Sequence, residues 1–281
     1  MSDAVTIGIC TKDRWDDLGA TLEHVRSRLP GVKIIVIDDG SSAPMPEPVH
    51  AALDGTDFVN DGRNRGYIER RNQIASLVKT EFYLSLDDDS YIVDGSLDEA
   101  VAFAHSMPDL LCLGFPVVNS SGMSEVPALD RPRPVRHFIG CAHLMRVDRF
   151  RELGGYRAEL VHQGEEAEIA ARGFNKGLSC WQFPGVTVLH NYSLIARNWD
   201  RMDFYGARNR YLWNDWFAPV SLRTSRQFRL LSERIVLVAR TRRTGHIRGW
   251  LAGRRTARDL RRFRTPFSSE TFSRWNSLPT W

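Results

Sequence analysis

The first ninety residues alternate short apolar runs with stretches of helical spacing. The apolar runs are typical of β-strands and lie at residues 5–10, 33–37, 58–59 and 82–86. Helical spacing covers residues 16–29 and 68–79, and the first of these places Leu18, Leu22 and Val25 on one face. Strands that alternate with helices predict an open α/β sheet, flanked by helices and built largely of parallel strands.

The second half of the chain is less regular. We expect helices at residues 97–107, from about 146 to 153 and from 164 to about 172, and strands at residues 110–118, 138–145 and 181–190. Residues 119–136 hold three prolines and many polar residues, so they predict a loop. This loop is either a wall or lid over a binding site or a plain surface excursion.

The charge of the chain divides unevenly along its length. Residues 1–220 carry 23 basic and 31 acidic side chains, a net charge of −8, whereas residues 221–281 carry 15 arginines and three acids, a net charge of +12. We therefore predict a catalytic domain over residues 1–220, with halves at about 1–118 and 119–220, and a basic helical extension over 221–281.

The extension has an apolar stripe at helical spacing, formed by Phe228, Leu231, Ile235 and Val238, with arginines around it. Such a helix either lies on an anionic membrane surface or packs its stripe on the catalytic domain. Nucleic acid is not an expected partner, because few aromatic residues interleave the arginines. Four scattered cysteines, no signal peptide and no long apolar run predict a cytoplasmic protein, peripheral at the inner membrane face if the extension binds lipid.

Polar residues follow three of the predicted strands directly, at 11–14, 38–42 and 87–89. In open α/β sheets, ligands bind outside the carboxyl ends of the strands. Asp87, Asp88 and Asp89 repel one another there, unless a cation offsets their charge. Carboxylates of this kind suit Mg²⁺ or Mn²⁺, although a solvated acidic turn is the plain alternative.

Four weaker signals accompany the three aspartates. Asp38-Asp39 follows a buried strand and suits a base or ribose, or simply a turn. Arg70 and Arg71 stand at a helix start, against the helix dipole, which favours an anionic ligand or a salt bridge. Glu165 and Glu166 lie in the first turn of another helix, where they favour the dipole or serve as a general base. His190, after an apolar run, is either structural or a metal ligand.

Other nucleotide-binding classes lack their required motifs. The loop after the first strand has no glycine-rich segment, which argues against a nucleotidylyltransferase and a dinucleotide-dependent dehydrogenase. No G-x-x-x-x-G-K-[ST] occurs, so a P-loop NTPase is excluded. A phosphotransfer receiver domain would leave the second half of the chain unexplained.

The order of these motifs resembles that of the family 2 glycosyltransferases, which have the GT-A fold, and so implies a single Rossmann-like open mixed sheet flanked by helices. The resemblance spans about residues 4–217. It rests on motifs in family order: Thr11 and Arg14, Asp38-Asp39-Gly-Ser-Ser, Asn64-x-Gly66 with Arg71-Asn72, Asp87-Asp88-Asp89, Phe138-Ile-Gly, Gly154-Gly155-Tyr, Gly164-Glu-Glu and His190. The stretch Tyr205-Gly-Ala-Arg208-Asn209 is similar to one seen in bacterial rhamnosyltransferase-like members.

The resemblance implies an inverting transfer from a nucleoside-diphosphate sugar, linked to UDP, dTDP or GDP, to a hydroxyl of a glycan, glycolipid or small molecule. Its implied metal ligands for Mn²⁺ or Mg²⁺ are Asp89, Asp87 and His190. Its implied donor-binding residues are Thr11, Arg14, Asp39, Arg71, Asp87 and Asp88.

The general base implied by the resemblance is Glu166, with Glu165 as its rival. The chain departs from the family here, because it has Gly-Glu-Glu where Gly-Glu-Asp is commoner. The alternative function is an inactive scaffold that binds a nucleotide sugar within a glycan-synthesis complex.

Overall fold

The computed structural model describes residues 3–127, 129–191 and 198–280. Ala128 of the predicted loop and Trp281 of the predicted extension lie outside these ranges. The strands are β1 Val5–Thr11, β2 Lys33–Asp38, β3 Asp57–Asn60, β4 Phe82–Asp87, β5 Ser90–Gly95, β6 Leu110–Gly114, β7 Val117–Asn119, β8 Ser124–Val126, β9 Arg133–Val135, β10 Ala142–Arg146, β11 Ser179–Gln182 and β12 Val186–His190. The helices are α1 Trp15–Arg28, α2 Glu47–Ala52, α3 Tyr67–Leu77, α4 Leu97–His105, α5 Val147–Glu152, α6 Glu165–Asn175, α7 Trp199–Phe217, α8 Val220–Thr241, α9 Gly245–Asp259 and α10 Ser269–Ser277, with short 3₁₀ turns at Ala158–Leu160 and Arg261–Phe263.

The main sheet is mixed and has the strand order β3-β2-β1-β4-β10-β6-β11-β9. Strands β1 to β4 are parallel, which confirms the open α/β sheet predicted for the first half. Strand β10 is antiparallel to both of its neighbours, β4 and β6. Because β1, β2 and β4 end at the same edge, the polar runs that follow them meet there.

Apolar side chains alternate between the two faces of the main sheet and form two cores. In β2, Ile34 and Val36 join the core beneath α1 and α4, whereas Ile35 and Ile37 join the core that also holds residues of α3, α6 and α7. A continuous apolar run is therefore needed, since both faces of the strand are covered.

A second, four-stranded sheet has the order β5-β12-β7-β8 and was not predicted. Two predicted strands are each divided between the sheets: residues 110–118 form β6 and β7, and residues 181–190 form β11 and β12. Both divisions fall at a proline, Pro116 or Pro184, which cannot donate a ladder hydrogen bond. The predicted loop 119–136 contains β8 and β9, and the strand predicted from residue 138 begins at Ala142.

The C-terminal extension is helical, as predicted, and much of it packs on the rest of the chain. Helix α9 lies against α7, with Gly249 so close that an added Cβ would meet the Phe204 carbonyl oxygen at 2.0 Å. Phe267, Phe272 and Trp275 join the core that contains Trp216. In α8, by contrast, Phe228 is 67% exposed and Ile235 54% exposed. In the described ranges, no helix is both long enough and apolar enough to cross a membrane.

Candidate active site

A cleft of about 600 Å³ opens at the carboxyl ends of β1, β2 and β4. All ten residues predicted for donor binding, metal binding and catalysis line it, namely Thr11, Arg14, Asp39, Arg71, Asp87, Asp88, Asp89, Glu165, Glu166 and His190. Residues far apart in the sequence meet here because parallel strands end at one edge and α6 begins beside it. The predicted site is therefore one continuous surface.

Asp88 is buried at the base of the cleft and is held by the first strand. The Thr11 hydroxyl donates to its Oδ2 at 2.8 Å, and the Thr21 hydroxyl donates to its backbone carbonyl at 2.8 Å. Burial raises the pKa of Asp88 to about 7, while Arg14 opposes and Asp89 adds to that rise. The carboxyl is thus fixed in place by neighbours on β1 and α1.

Asp87, Asp89 and His190 form a group that suits a divalent cation. One ligand atom from each lies within 4.8 Å of the others. Asp89 Oδ1 is buried and accepts no hydrogen bond from the described residues, and His190 Nε2 lies 3.5 Å from it. A buried carboxylate oxygen without a donor is costly, so a cation fits the position. Two carboxylates and an imidazole also match the preferences of Mn²⁺.

Glu125 extends this group and was not predicted from the sequence. Its Oε2 lies 3.2 Å from Nδ1 of His190, on the opposite side of the ring from Asp89. A carboxylate in that place fixes the proton on Nδ1 and leaves Nε2 as the ligand atom. Glu125 and His190 come together because β8 and β12 pair with β7 from opposite sides. In the sequence, Glu125 is marked only as an acid within the predicted loop.

Two arginines offset the negative charge of the cleft. Arg14 places Nη2 at 2.6 Å from Asp89 Oδ2 and Nη1 at 3.4 Å from Asp88 Oδ1. Arg71 is buried beneath Tyr67 and binds Asp87 Oδ1 at 2.5 Å. Burial alone would raise the pKa of Asp87, but the charges of Arg71 and His190 outweigh it, and that pKa lies below its usual range.

Arg71 also reaches the glutamates at the start of α6. Its Nη1 lies 3.3 Å from Glu165 Oε1 and 3.8 Å from Glu166 Oε1, and its Nη2 donates to the Gly140 carbonyl at 3.1 Å. One guanidinium therefore lies between the predicted metal ligands and the predicted base. The sequence did not predict that Arg71 bridges these groups, because the resemblance implies only that it binds the donor.

The two glutamates differ in their access to the cleft. The side chain of Glu165 is 1% exposed, and that of Glu166 is 18% exposed. Burial and the neighbouring Glu165 raise the pKa of Glu166 well above its usual value, against the lowering effect of Arg71. Gly140 makes room for Glu166, because a Cβ there would meet Glu166 Oε1 at 2.1 Å.

Asp39 lines the cleft but its carboxylate already organises the loop before α3. Oδ1 accepts from the Arg65 amide at 2.7 Å and from Arg70 Nε at 3.0 Å, and Oδ2 accepts from the Gly66 amide at 3.0 Å. Arg70 is thus a structural partner of Asp39, not a lining residue. The loop that Asp39 holds forms the cleft edge beside Tyr67.

The stretch around Arg208 and Asn209 holds the segment that precedes the glutamates. Asn209 Nδ2 donates to the carbonyls of Leu160, His162 and Gln163 at 2.7 to 2.9 Å. Arg208 donates to the carbonyls of Glu159 and Leu160 at 3.0 and 3.3 Å. These contacts fix the approach to α6 without touching the cleft, so the similarity seen here gives no information on the donor sugar.

Ten further residues line the cleft, of which Ile139 and Gly140 belong to the Phe138-Ile-Gly motif and the others were not singled out in the sequence. They are Cys10, Lys12, Tyr67, Ile139, Gly140, Cys141, His162, Asn198, Arg201 and Met202. Asn198, Arg201 and Met202 come from the start of α7. This segment does not follow an apolar strand, so its sequence does not indicate that it lies at the cleft. Six carboxylates and four Lys or Arg side chains line the cleft within the described chain, so its charge favours a cation.

Comparison with known proteins agrees with this geometry. The sequence model described as glycosyl transferase family 2 matches residues 6–156, more than half of the chain. Curated relatives from two strains of Mycobacterium tuberculosis (CDC 1551 / Oshkosh and ATCC 25618 / H37Rv), each a pre-mycofactocin glycosyltransferase, are 26% identical over 205 residues. The match covers 66% of this chain and 43% of those relatives, so the chain spans less than half their length.

Solved structures share the fold at low sequence identity. GalNAc-T7 with UDP, GalNAc and Mn²⁺ has a TM-score of 0.60 at 19% identity, covering 74% of this chain and 50% of that one. The mannosyltransferase PcManGT from Pyrobaculum calidifontis, in complex with GDP-Man and Mn²⁺, has a TM-score of 0.55 at 14% identity, covering 74% and 61%. These similarities confirm the predicted GT-A fold.

Proposed function

Because the chain belongs to glycosyl transferase family 2, we propose that it transfers a sugar from a nucleoside-diphosphate donor to an acceptor hydroxyl. The observation that carries the proposal is the cleft, which is lined by the predicted donor-binding residues, the predicted metal ligands and the two candidates for the general base. The separation of acids supports it as well: Asp87 and Asp89 lie on one side of the Arg71 guanidinium and Glu166 on the other.

The proposal includes a divalent cation, Mn²⁺ or Mg²⁺, held by Asp87, Asp89 and His190. When bound, such a cation stabilises negative charge on the leaving diphosphate. The unpartnered Asp89 Oδ1 supports this assignment, and so does the Mn²⁺ in the solved structures of GalNAc-T7 and PcManGT. Arg14 pairs with Asp89 and with the neighbouring Asp88, and so offsets part of the negative charge there.

In the proposed complex, Asp39 and Arg71 hold the nucleobase, and Asp88 holds the ribose, with Thr11 and Arg14 beside them. Asp39 Oδ2 carries one backbone hydrogen bond and has a lone pair for a base N–H. The similar structures hold UDP or GDP-Man, so a UDP, GDP or dTDP sugar is the proposed donor class.

The proposed reaction is a single displacement with inversion at the transferred carbon. The Glu166 carboxylate accepts the proton of the acceptor hydroxyl, and that oxygen forms the new glycosidic bond as the bond to the diphosphate breaks. Glu166 is the proposed base because its side chain is the more exposed of the pair, whereas Glu165 binds Arg71. The acceptor is a glycan, a glycolipid or a small molecule, and a hexose or a deoxyhexose is the proposed sugar.

We further propose that the extension brings the enzyme to an anionic membrane surface at the cytoplasmic face. The outward side of α8 supports this, since Phe228, Ile235 and Val236 are exposed there beside Arg229. Cosedimentation tests it: vesicles of phosphatidylglycerol should bind the protein at low salt, and vesicles of phosphatidylcholine should not. Equal binding to both would contradict it.

Calorimetric titration with UDP, dTDP, GDP and ADP, each with and without Mn²⁺, tests the function. We expect tight binding of one diphosphate, which is lost without metal and lost in Asp89→Ala. Asp109→Ala removes an exposed carboxylate outside the cleft and serves as the matched control. If none of the four nucleotides shows metal-dependent binding, the glycosyltransferase proposal fails and a scaffold function takes its place.

A further inference from the structure

A second cleft, of about 530 Å³, lies between α7, α8 and α9 and takes no part in the proposed reaction. Five arginines line it: Arg223, Arg254, Arg258, Arg261 and Arg264. Within the described chain, Asp215 is the one carboxylate among its lining residues, and its Oδ1 lies 3.6 Å from Arg223 Nη1. The cleft therefore holds a surplus of four positive charges.

Of the remaining four arginines, Arg254, Arg258 and Arg261 influence Tyr211 or Asp215 through their charge. Among the residues that the structure describes, no side-chain hydrogen bond or ion pair involves the guanidiniums of Arg254, Arg258, Arg261 and Arg264. In the donor cleft, by contrast, Arg14 and Arg71 have carboxylate partners. Like charges that converge on one cavity repel each other, and an anion between them removes that cost.

The inner wall of this cleft offers further polar groups. Trp250 is 9% exposed, and its indole N–H finds no acceptor within the described residues. Gln227 is equally buried and donates from Nε2 to the Tyr211 carbonyl at 3.0 Å. An indole N–H is a donor only, so a ligand oxygen would supply the acceptor that the Trp250 N–H does not have here.

We infer that this cleft binds a ligand that carries phosphoryl groups. A guanidinium pairs with phosphate through two parallel hydrogen bonds, and several arginines around one cavity match a group with more than one negative charge. A carboxylate brings a single charge and leaves most of the surplus uncompensated. The phosphoryl group belongs either to a lipid headgroup or to a soluble pyrophosphate compound.

The cleft is a site separate from the donor cleft. Arg201 lines the donor cleft and Tyr211 lines this one, both on α7. Ten residues of helix separate them by roughly 15 Å along its axis. Phe228 stands at the rim and is 67% exposed, so the entrance lies on the face that we propose for the membrane surface.

Binding of inorganic pyrophosphate, measured by calorimetry in EDTA, tests the inference with Arg254→Gln/Arg258→Gln. Both arginines are exposed and lie one turn apart on α9, so their replacement preserves the fold. The control is Arg240→Gln/Arg255→Gln, which removes the same charge from exposed positions of α8 and α9 that do not line the cleft. Neither variant alters the donor cleft.

We expect pyrophosphate affinity to fall roughly tenfold or more in Arg254→Gln/Arg258→Gln and to stay within about twofold in the control. Cosedimentation with vesicles of phosphatidylcholine and phosphatidic acid in equal parts identifies the source: a loss of vesicle binding specific to the cleft variant indicates a headgroup, and unchanged vesicle binding indicates a soluble ligand. An equal fall in both variants, or no pyrophosphate binding by the wild type, overturns the inference. Metal-dependent nucleotide binding reports on the proposed function independently.

Discussion

Glu166 is under two opposing demands at the scale of a single residue. A general base must be ionised, yet burial and the adjacent Glu165 disfavour its charge, while Arg71 and a hydrogen bond from its own backbone N–H favour it. A carboxylate with a raised pKa is also a stronger base once it has lost its proton. The environment that makes Glu166 costly to ionise is thus the one that suits it to remove a proton from a hydroxyl.

The rate of metal-dependent donor hydrolysis, with water in place of the acceptor, should therefore rise with pH as Glu166 loses its proton. Glu166→Gln should lower this rate about 10²- to 10⁴-fold and remove the part of the pH dependence that Glu166 causes, while the part due to Asp88 remains. Glu165→Gln is the matched variant and should have the smaller effect. If Glu166→Gln retains full turnover, or Glu165→Gln loses more, Glu166 is not the base.

The same shift predicts a change in stability with pH. A carboxyl group whose pKa is raised by folding stabilises the native state below its unfolded pKa, and this contribution is lost as pH rises through the folded pKa. The free energy of unfolding of the wild type should therefore fall, relative to that of Glu166→Gln, as pH rises above about 4.3, the ordinary pKa of glutamate. Urea titrations at several pH values measure this difference, and a constant difference would contradict it.

Glu125 should control metal affinity although it is not a proposed ligand. Glu125→Gln weakens the acceptor for His190 Nδ1, so Mn²⁺ affinity should fall about 10- to 100-fold. Glu23→Gln, at an exposed position of α1, should leave Mn²⁺ affinity unchanged. Calorimetry or electron paramagnetic resonance of Mn²⁺ gives both values without any turnover, and equal affinities would remove Glu125 from the site.

At the scale of elements, α9 depends on its glycines for close contact with α7. Gly245, Gly249 and Gly253 recur every four residues and so share one face of the helix. A Cβ at Gly249 would meet the Phe204 carbonyl oxygen at 2.0 Å, and one at Gly253 would meet the Tyr211 Cβ at 2.6 Å. The backbones of the two helices therefore approach closely along their length.

Replacing glycine by alanine should have opposite effects in two helices. Gly249→Ala forces α9 away from α7 and should lower the free energy of unfolding by about 1–3 kcal/mol. Gly19→Ala in α1 meets only the Val49 Cγ2 at 3.6 Å and should raise it by up to about 1 kcal/mol, because alanine favours the helix. Urea denaturation measures both, and two changes of the same sign would contradict the close packing.

The elements that sequence could predict are those whose signal is local. Strands β1, β2 and β4 end in acids or polar turns, and helix α1 has a clear apolar face, so their places could be derived from spacing. Strand β5 follows Asp89 directly, with no turn signal between them, and its pairing with β12 joins residues about a hundred positions apart. Nothing local specifies such a contact, and the second sheet was missed for that reason.

The candidate site was predictable to the same extent. Asp39 and Asp87 to Asp89 stand at the carboxyl ends of β2 and β4. Because these strands are parallel, their ends meet at one edge of the sheet, and the sequence therefore predicts that these acids share a cleft. Glu125 reaches His190, and the residues at the start of α7 reach the cleft, only through tertiary packing, which no spacing in the sequence indicates. The bridging role of Arg71 belongs to this second group, because its partners lie on three different elements.

At the scale of the molecule, the boundary predicted at residue 220 divides the charge but also cuts through a shared core. Trp216 and Phe217 are fully buried, and their aromatic neighbours include Phe263 and Phe267 from the extension. The basic segment therefore covers a face of the catalytic part. Its arginines lie mostly on the outer surface, whereas apolar side chains such as Phe267 and Trp275 belong to the interior.

Truncation after Pro219 should accordingly fail to give a stable catalytic domain. Loss of α9 and α10 exposes Trp216, Phe217 and their neighbours, and an apolar patch of this kind favours aggregation. We expect the truncated chain to be insoluble, or to melt well below the full chain in a thermal denaturation scan. Truncation after Leu278, which removes only the last three residues, is the control. A soluble truncated chain with an unchanged melting temperature would show that residues 1–219 fold independently.

The proposed metal ligands come from both sheets, since Asp87 ends β4 in the main sheet and His190 ends β12 in the second. A cation held by both would add a link between the two sheets at this point. Binding that favours the native state alone adds to its stability by mass action. Addition of Mn²⁺ would then lower the frequency of local opening in the smaller sheet, and amide hydrogen exchange in β12 would slow.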